Sequence, residues 1–573
     1  MHRMLILVFI LVPMIIVSTL SFAQKAPPAG AVNVVTRQND NQHTGQNLQE
    51  TILTPANVNS GTFGKVFSYP VDGQIYAEPL YVSNLTMAGG SVHNVVFVAT
   101  EYDSVYAFDA DSAALNPNPL WHVSFLNPSA GVTPVPCAQG AGICQLFPVV
   151  GITSTPVINL ATNTIYVVAR TQETSGTTVN WVVRLHALDI TSGAEKTGSP
   201  ATICSANGSK GSKGCTLAGG TVIFGPQHQQ SRPGMLLVPE PGFPQGVLVM
   251  GFAGDSGWVV VYDPVALTLV AAFYTDNEQA HSVAIKEPGI PGQGHGGVWG
   301  AGGGVVADTN GNIYAISGDG YWDGITNWGD SLIKLVLTQN SSTGTYSLVP
   351  ADYFTTSDQS CRYAHGKDYG SAGPLLLPPQ GGAIPNMIFT TGKQDSVCET
   401  TFAGYVINRD NMGHVGGQIS QMTLPLGGGE QSPAYFNTGT TQYIYNGGDS
   451  DSLRAFTVSS AGVSTDPVLA TTHVFDSGTT PAVSANGTSN GIVWGLEQTD
   501  SPDILPSVQP VVLHAFDATT LSELYNSAQA PLGRDNAGPA VKFQIPMIAN
   551  GKVYVGTSTE LDVYGLCPCA GGK

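Results

Sequence analysis

DSVYAFD, running from Asp103 to Asp109, is the stretch whose reading decides how this chain folds. Val105, Ala107 and Asp109 alternate with Tyr106 and Phe108, the period of two that marks a β-strand with something packed on each side. The Asp-Ser pair in front of it returns at Asp255-Ser256 before GWVVVYD, Asp330-Ser331 before LIKLVL and Asp449-Ser450 before DSLRAF. At longer range it returns at Asp395-Ser396 before GYVIN and Asp500-Ser501 before VVLHAFD. A motif that recurs once in roughly 50 residues is first an architectural device. Short polar side chains that bond their own backbone suit the turn joining two strands.

Outward from that turn, the chain lays out as similar units, each with an apolar strand opening near a proline, a second strand, a turn and a third strand. EPLYV, NVVFVAT and SVYAFD (78–109) form the first, and STPVINL, TIYVVAR and VVRLHALD (154–189) the second. Five more follow to Asp517, and IPMIAN, KVYVGTS and LDVYGL end the last at Leu566. Such sheets cannot bury both faces alone, and radial stacking about an axis solves the problem, so the expected fold is an all-β propeller. Eight units predict eight blades, with seven as the alternative if one unit is wrongly divided. GKVFSYPV (64–71) is an orphan strand before the first unit, and the last unit ends after three strands. Pairing these N- and C-terminal strands in one blade would close the ring without exposed edges.

Residues 1–23 carry Arg3, an apolar stretch from Met4 to Leu20, and Ser21-Phe22-Ala23, the pattern of an export signal peptide. An uncleaved membrane anchor is the alternative. A flexible linker (24–32) leads into a single domain, 33–573, and the expected localisation is secreted or periplasmic. Gly 69 and Pro 38 fit many short strands joined by turns, and a net charge of -19 without any basic cluster argues against nucleic acid or anionic lipid as partner. Eight cysteines in an exported chain are expected to be bridged. Cys137 with Cys144, Cys204 with Cys215 and Cys361 with Cys398 are close enough in sequence, whereas Cys567 with Cys569 would close a very small ring. No Cys-x-x-Cys-His for covalent haem occurs.

VYAFDADS followed by Leu120-Trp121, and LHALDITSG (185–193), resemble the Ala-x-Asp-x-x-Thr-Gly...Trp repeat of pyrroloquinoline quinone (PQQ) enzymes. The likeness is strongest over 291–413, where GGVWGAGGGVVADTNGNIYAISGDGYWDG, WGDSLIKL and GKQDSV...GYVINRDNMG are similar to the central blades of quinoprotein alcohol dehydrogenases. RQNDNQHTGQNLQETILTPANVN (37–59) is similar to the segment preceding their first blade. The resemblance implies that Trp299 supports a flat quinone, that Lys393 polarises its carbonyls and that Glu78 lies near it. It further implies that Asp330 accepts the substrate hydroxyl proton, and that Asp319, Asp330 and Asp255 hold Ca²⁺. Three departures stand beside it. The chain has no adjacent cysteines, Asp319 stands where the family has Asn, and Asp255 is a shorter substitute for the family's glutamate.

Two functions follow. One is an exported oxidoreductase oxidising an alcohol or sugar hydroxyl with PQQ and Ca²⁺ and passing electrons to an external acceptor. The alternative is a non-catalytic propeller serving as a protein- or glycan-binding scaffold. Against the site residues stand plainer readings: a turn aspartate for Asp330, an inter-blade tryptophan for Trp299 and a solvated turn lysine for Lys393. Arg170 and Arg232 are set aside as ordinary strand-end arginines. Gly329-Asp330-Ser331-Leu332 has the look of a hydrolase nucleophile, but it belongs to the repeated turn and specifies no partner histidine.

Overall fold

The computed structural model describes residues 32–569 apart from 112–116, 138–145, 208–213, 219–221, 255, 277–295, 394–397, 399–403, 422–427 and 499–507. The proposed signal and most of the linker lie outside the described residues, as do Asp255, Cys144 and the Asp395-Ser396 and Asp500-Ser501 pairs. Among the described residues, eight sheets of four to six strands follow one another along the chain, with one small ribbon of Cys215–Thr216 and Ile223–Phe224. No helix among them is long and apolar enough to cross a membrane.

Each sheet is built on an antiparallel meander. Leu80–Thr86, Val92–Ala99, Ser104–Asp109 and Trp121–Ser124 make the body of the first, in register from Leu80 opposite Phe97 to Ala107 opposite Trp121. The alternating pattern has the expected result, since Val105, Ala107, Tyr106 and Phe108 are all buried. Each pair of neighbouring sheets shares a core: Tyr166 and Leu185 pack with Met250 and Trp258, and Phe436 and Tyr445 pack with Val493 and Phe516. Burying one such side chain contributes about 1.5–3 kcal/mol, and dozens of them hold the sheets face to face.

The orphan strand pairs where the sequence places it. Phe63–Pro70 runs antiparallel to Glu560–Leu566, with Phe63 opposite Leu566 and Tyr69 opposite Leu561, in the sheet that also holds Tyr554. That sheet packs on the first through a core shared by Tyr69, Tyr81, Phe108, Tyr554 and Val563. Tyr69 stacks on Phe108 with ring centroids 4.3 Å apart, and its hydroxyl donates to the Asp109 carbonyl.

A second device is not visible in the strand pattern. Residues 33–50 pass the first strand of every sheet in turn, bonding each one. Asn33–Val34 pairs with Val82 and Tyr81, and Val35 O then accepts from Ile158 N at 2.8 Å. Thr36 Oγ1 donates to Met235 O, after which Asn41 O accepts from Ala307 N and Gln42 O from Leu376 N. Thr44 O accepts from Tyr435 N, Gly45 O from Val483 N, and Asn47 Nδ2 donates to Ile548 O. First strands are edges whose unpaired amides would otherwise need water, and this strap satisfies them. It turns sharply, with Gln38, Asn39 and His43 at left-handed φ of 50°, 72° and 55°. Its Arg37 and His43 are buried, and burial next to Arg37 pushes His43 down to about 3. Glu78 is tied to the strap as well, accepting from Gln38 N at 2.8 Å, and burial pushes it up to about 7 against the pull of Arg37.

Disulfides join Cys204 to Cys215 and Cys361 to Cys398, as expected. Cys567 and Cys569 are also joined, contrary to the small-ring expectation; a tight turn in which Cys569 N donates to Cys567 O brings them together.

Two outcomes are expected. Tyr69→Ala removes a fully buried ring at the seam between the last sheet and the first, and should cost about 3–5 kcal/mol, read as a lower urea midpoint. Because Glu78 binds its proton more tightly folded than unfolded, the folded state loses stability as pH rises from its ordinary carboxylate range toward about 7. Glu78→Gln should remove that decline, at most about 3 kcal/mol, seen as a flatter dependence of melting temperature between pH 5 and 8 in cofactor-free protein.

Candidate functional site

The Asp-Ser turns are more than turns. Asp103 and Asp330 both adopt left-handed φ of 51°, a conformation costing of order 1 kcal/mol outside glycine. Neither spends its carboxylate on its own loop, as the turn reading expects. Asp330 Oδ1 accepts from Tyr369 N at 2.9 Å, and Asp103 Oδ1 accepts from Arg170 N at 3.2 Å, so each clips its turn to the segment of the next sheet. In both, Oδ2 is buried with no hydrogen-bond partner. Burial holds both carboxyls well above the usual range, only partly opposed by the backbone N–H each accepts. Ser331 is fully buried, its hydroxyl engaged with Gly329 O and Thr355 Oγ1, which removes it as a nucleophile.

Asp330 belongs to a charged cluster centred on a residue the sequence does not single out, Asp368. The short helix Gln359–His365 ends at Gly366 with φ of 61°, and the chain turns there to bring Asp368 against Gly318. A Cβ on Gly318 would lie 2.4 Å from Asp368 Oδ1 and 3.1 Å from Trp299 Cδ1, so glycine is what lets these groups meet. Asp368 Oδ1 accepts from Asp319 N at 3.0 Å. Its Oδ2 accepts from Lys393 Nζ at 2.6 Å, and Glu430 lies 3.6 Å from the same ammonium. Arg362, fully buried, pairs with Asp358 at 3.0 Å and donates to Lys393 O at 2.8 Å, tying the lysine loop to the helix.

The charges sort themselves by neighbour. Burial, and then the Asp368 charge, push Asp319 far up, so it carries a proton near neutrality. Burial alone would push Asp368 up too, but the Lys393 ammonium and the bonds from Asp319 hold it below the carboxylate range. Lys393 is held well above its ordinary value because Asp368 and Glu430 outweigh its desolvation. Lys393, its side chain 34% exposed, is thus a partly solvated lysine that also holds a fixed ion pair.

Trp299 stands beside this cluster. The Arg232 guanidinium lies 4.9 Å over its ring and 5.2 Å from Phe543. Burial lowers Arg232, with Glu430 opposing. Trp299, Asp319, Asp330 and Lys393 thus gather around Asp368. Glu78 does not share a bond with them; it reaches their neighbourhood through Arg37, whose Nη2 donates to Ala301 O. The sequence reading missed Asp368, Glu430 and Arg362, and set Arg232 aside. The available signal was GKDYGS (366–371), a charged, glycine-flanked loop just ahead of a sheet.

No protein-family model matches the chain, and no curated protein matches it by sequence. Solved structures do. The quinohemoprotein alcohol dehydrogenase from Comamonas testosteroni aligns over 94% of this chain and 81% of its own at 15% identity, with a TM-score of 0.52. The quinohemoprotein alcohol dehydrogenase ADHIIG from Pseudomonas putida HK5 aligns over 94% and 81% at 14% identity, with a TM-score of 0.53. A europium-containing methanol dehydrogenase aligns over 93% of this chain and 98% of its own at 13% identity, with a TM-score of 0.52. At such identities the likeness speaks to architecture alone: the chain has the β-propeller fold of quinoprotein dehydrogenases, in a divergent form.

Proposed function

We propose that the eight larger sheets are the blades of one closed propeller domain, 33–573, exported behind the 1–23 signal and the 24–32 linker to a secreted or periplasmic location. Its site is that of a quinoprotein-type oxidoreductase acting on an alcohol or sugar hydroxyl with PQQ and Ca²⁺, with an external electron acceptor. The observation that carries this reading is the gathering of Trp299, Asp319, Asp330 and Lys393, residues far apart in sequence, around one buried carboxylate, Asp368.

The residue types present suit both groups. Asp330 Oδ2 is buried and unpartnered, and Asp319 and Asp368 are near enough for the carboxyl charges to act on one another; these are hard oxygens of the kind a divalent cation takes, although their ligand atoms do not converge within 4.8 Å as they stand. Asp255, the remaining expected ligand, lies outside the described residues. A flat, polyanionic ligand finds an indole in Trp299 and cations in Arg232 and Lys393. When bound, the quinone supplies the two-electron acceptor, and the cation polarises it. The chain supplies the rest. Tyr369 N holds Asp330 Oδ1 and so fixes Oδ2; beside a bound cation the carboxyl's affinity for its own proton falls, and once that proton is released to solvent Oδ2 can take the one from the hydroxyl. Asp368 and Glu430 fix the Lys393 ammonium, and Arg362 anchors its backbone.

A second reading, a non-catalytic propeller binding a protein or glycan, is favoured by one observation. Arg232 already covers a face of Trp299, and Lys393 already has two carboxylate neighbours, so this part of the site balances its charges without a cofactor.

Titration of the purified protein with PQQ and Ca²⁺, followed by dye reduction over a panel of alcohols and sugars, separates the two. Saturable, calcium-dependent quinone uptake with dye reduction is expected; absence of saturable uptake leaves the scaffold reading standing. Asp330→Asn should retain quinone uptake while dye reduction falls at least ~100-fold, the scale of a lost general base. Lys393→Ala should weaken uptake itself, measured by equilibrium dialysis.

A further inference from the structure

Away from the Asp368 cluster, two histidines and a glutamate converge at the seam between two neighbouring sheets. His473 lies in Leu469–Phe475, on the outer side of the sheet of Asp451–Ser459. Glu497 ends Ser489–Glu497 and His514 lies in Val512–Asp517, paired strands of the next sheet. Register places His514 opposite Gly495 and Val512 opposite Glu497, so His514 and Glu497 are diagonal neighbours on one face. His473 Nε2 and His514 Nε2 approach the same atom, Glu497 Oε2, at 3.1 and 3.3 Å. The ligand-capable atoms of all three residues lie within 4.8 Å of one another.

These separations are those of a coordination shell. Ligands about 2.0–2.1 Å from a tetrahedral zinc ion stand roughly 3.3 Å apart. His473 Nε2 is buried and faces Glu497 Oε2 at 3.1 Å, aimed at the same oxygen as His514 Nε2. The two imidazole rings lie 4.4 Å apart and 28° from parallel, an arrangement that two cations would resist and two neutral ligands would not. His514 Nδ1 donates to Glu523 Oε1 at 2.8 Å, the outer carboxylate that orients a ligating histidine, and its Nε2 faces Glu497 Oε2 at 3.3 Å through a proton that a metal ion would displace. Phe475 and Phe516 flank the His514 ring at 5.3 and 5.9 Å and wall the site with apolar surface.

We propose that His473, Glu497 and His514 form a zinc-type metal site that clips two adjacent sheets together, with Glu523 as the positioning residue for His514. Three protein ligands leave a fourth position for water, and His473, its side chain 31% exposed although Nε2 is buried, is the ligand nearest solvent. A soft or borderline divalent ion suits two imidazoles and one carboxylate, whereas the carboxylate oxygens of the Asp368 cluster suit a hard one. The two sites are therefore chemically separable, and this inference does not depend on the quinone reading.

The test is calorimetric titration of the EDTA-treated full-length mature chain with zinc chloride, with melting temperature recorded in parallel. One zinc equivalent and a rise in melting temperature are expected. His473→Gln, a partly exposed change that spares the core, should weaken that equivalent at least ~10-fold and abolish the thermal shift, and Glu523→Gln should weaken it about 10–100-fold. Asp319→Asn should leave it intact. Cobalt titrated in place of zinc should give the visible absorption of a four-coordinate ion, lost in His473→Gln. Zinc uptake that is absent, or that His473→Gln does not weaken, overturns the proposal and leaves His514 as an imidazolium bridging Glu497 and Glu523.

Discussion

A sheet that is apolar on both faces can be soluble only if something covers each face and something else satisfies its inner edge. In this chain the neighbouring sheets do the first and residues 33–50 do the second. The strap is not decoration on a preformed assembly. Its carbonyls and side chains take up hydrogen bonds at the inner strand of each sheet in order, so one short peptide ties the sheets to one another. With Arg37, Gln38 and His43 buried in its turn, the strap brings in polar groups that must be matched from the sheets around it. Glu78 is one such match: the strap accounts for its burial, and burial raises its affinity for a proton against the pull of Arg37 and Gln38 N, without appeal to any ligand.

The Asp-Ser turn shows how an architectural motif becomes chemically competent. Asp103 and Asp330 share a backbone angle, a bond to the next sheet and an unpartnered Oδ2. Their surroundings differ. Asp103 stands beside Glu101, which burial pushes up to about 7, and beside buried Arg170, whose Nη2 is held by Gln227 O. Asp330 stands beside Asp368, which is ionised because Lys393 holds it. One turn, used twice, gives a proton-bearing carboxyl among mixed charges in one place and a carboxyl at the rim of a lysine-anchored acidic cluster in the other.

What could be read from the sequence follows from what strands require. Alternation is local, so SVYAFD, GWVVVYD and VVLHAFD announce themselves, and an unpaired strand such as GKVFSYPV asks for a partner that only the incomplete last unit can offer. Asp330 and Trp299 could be found because they sit in registered repeats or in the stretch with the strongest family likeness. Asp368 and Glu430 could not, since they lie in loops outside the repeat and acquire meaning only when Gly318 and the turn at Gly366 bring them to Lys393. His473 and His514 were invisible for a related reason. Each is an ordinary strand residue, and only the stacking of two sheets puts their nitrogens on one glutamate oxygen.

The division of labour within a single carboxylate ties architecture to chemistry. Asp330 uses Oδ1 to hold the next segment through Tyr369 N, and that bond fixes where Oδ2 points. A side chain that bonded its own turn would be freer to move and better hydrated, with an ordinary affinity for protons and cations. Buried and clipped, Oδ2 is left with a choice between a proton and a metal ion, since an unpaired charge at zero exposure is too costly to persist. The neighbours bias that choice: Asp368 and Asp358 raise the cost of ionisation, and Arg362 lowers it. A divalent cation would turn the first two from opposition into support. The same crowding of carboxyls that protonates Asp319 and Asp330 in the free protein is therefore what would make the site receptive to a hard cation, and the proton each releases is the measure of that exchange.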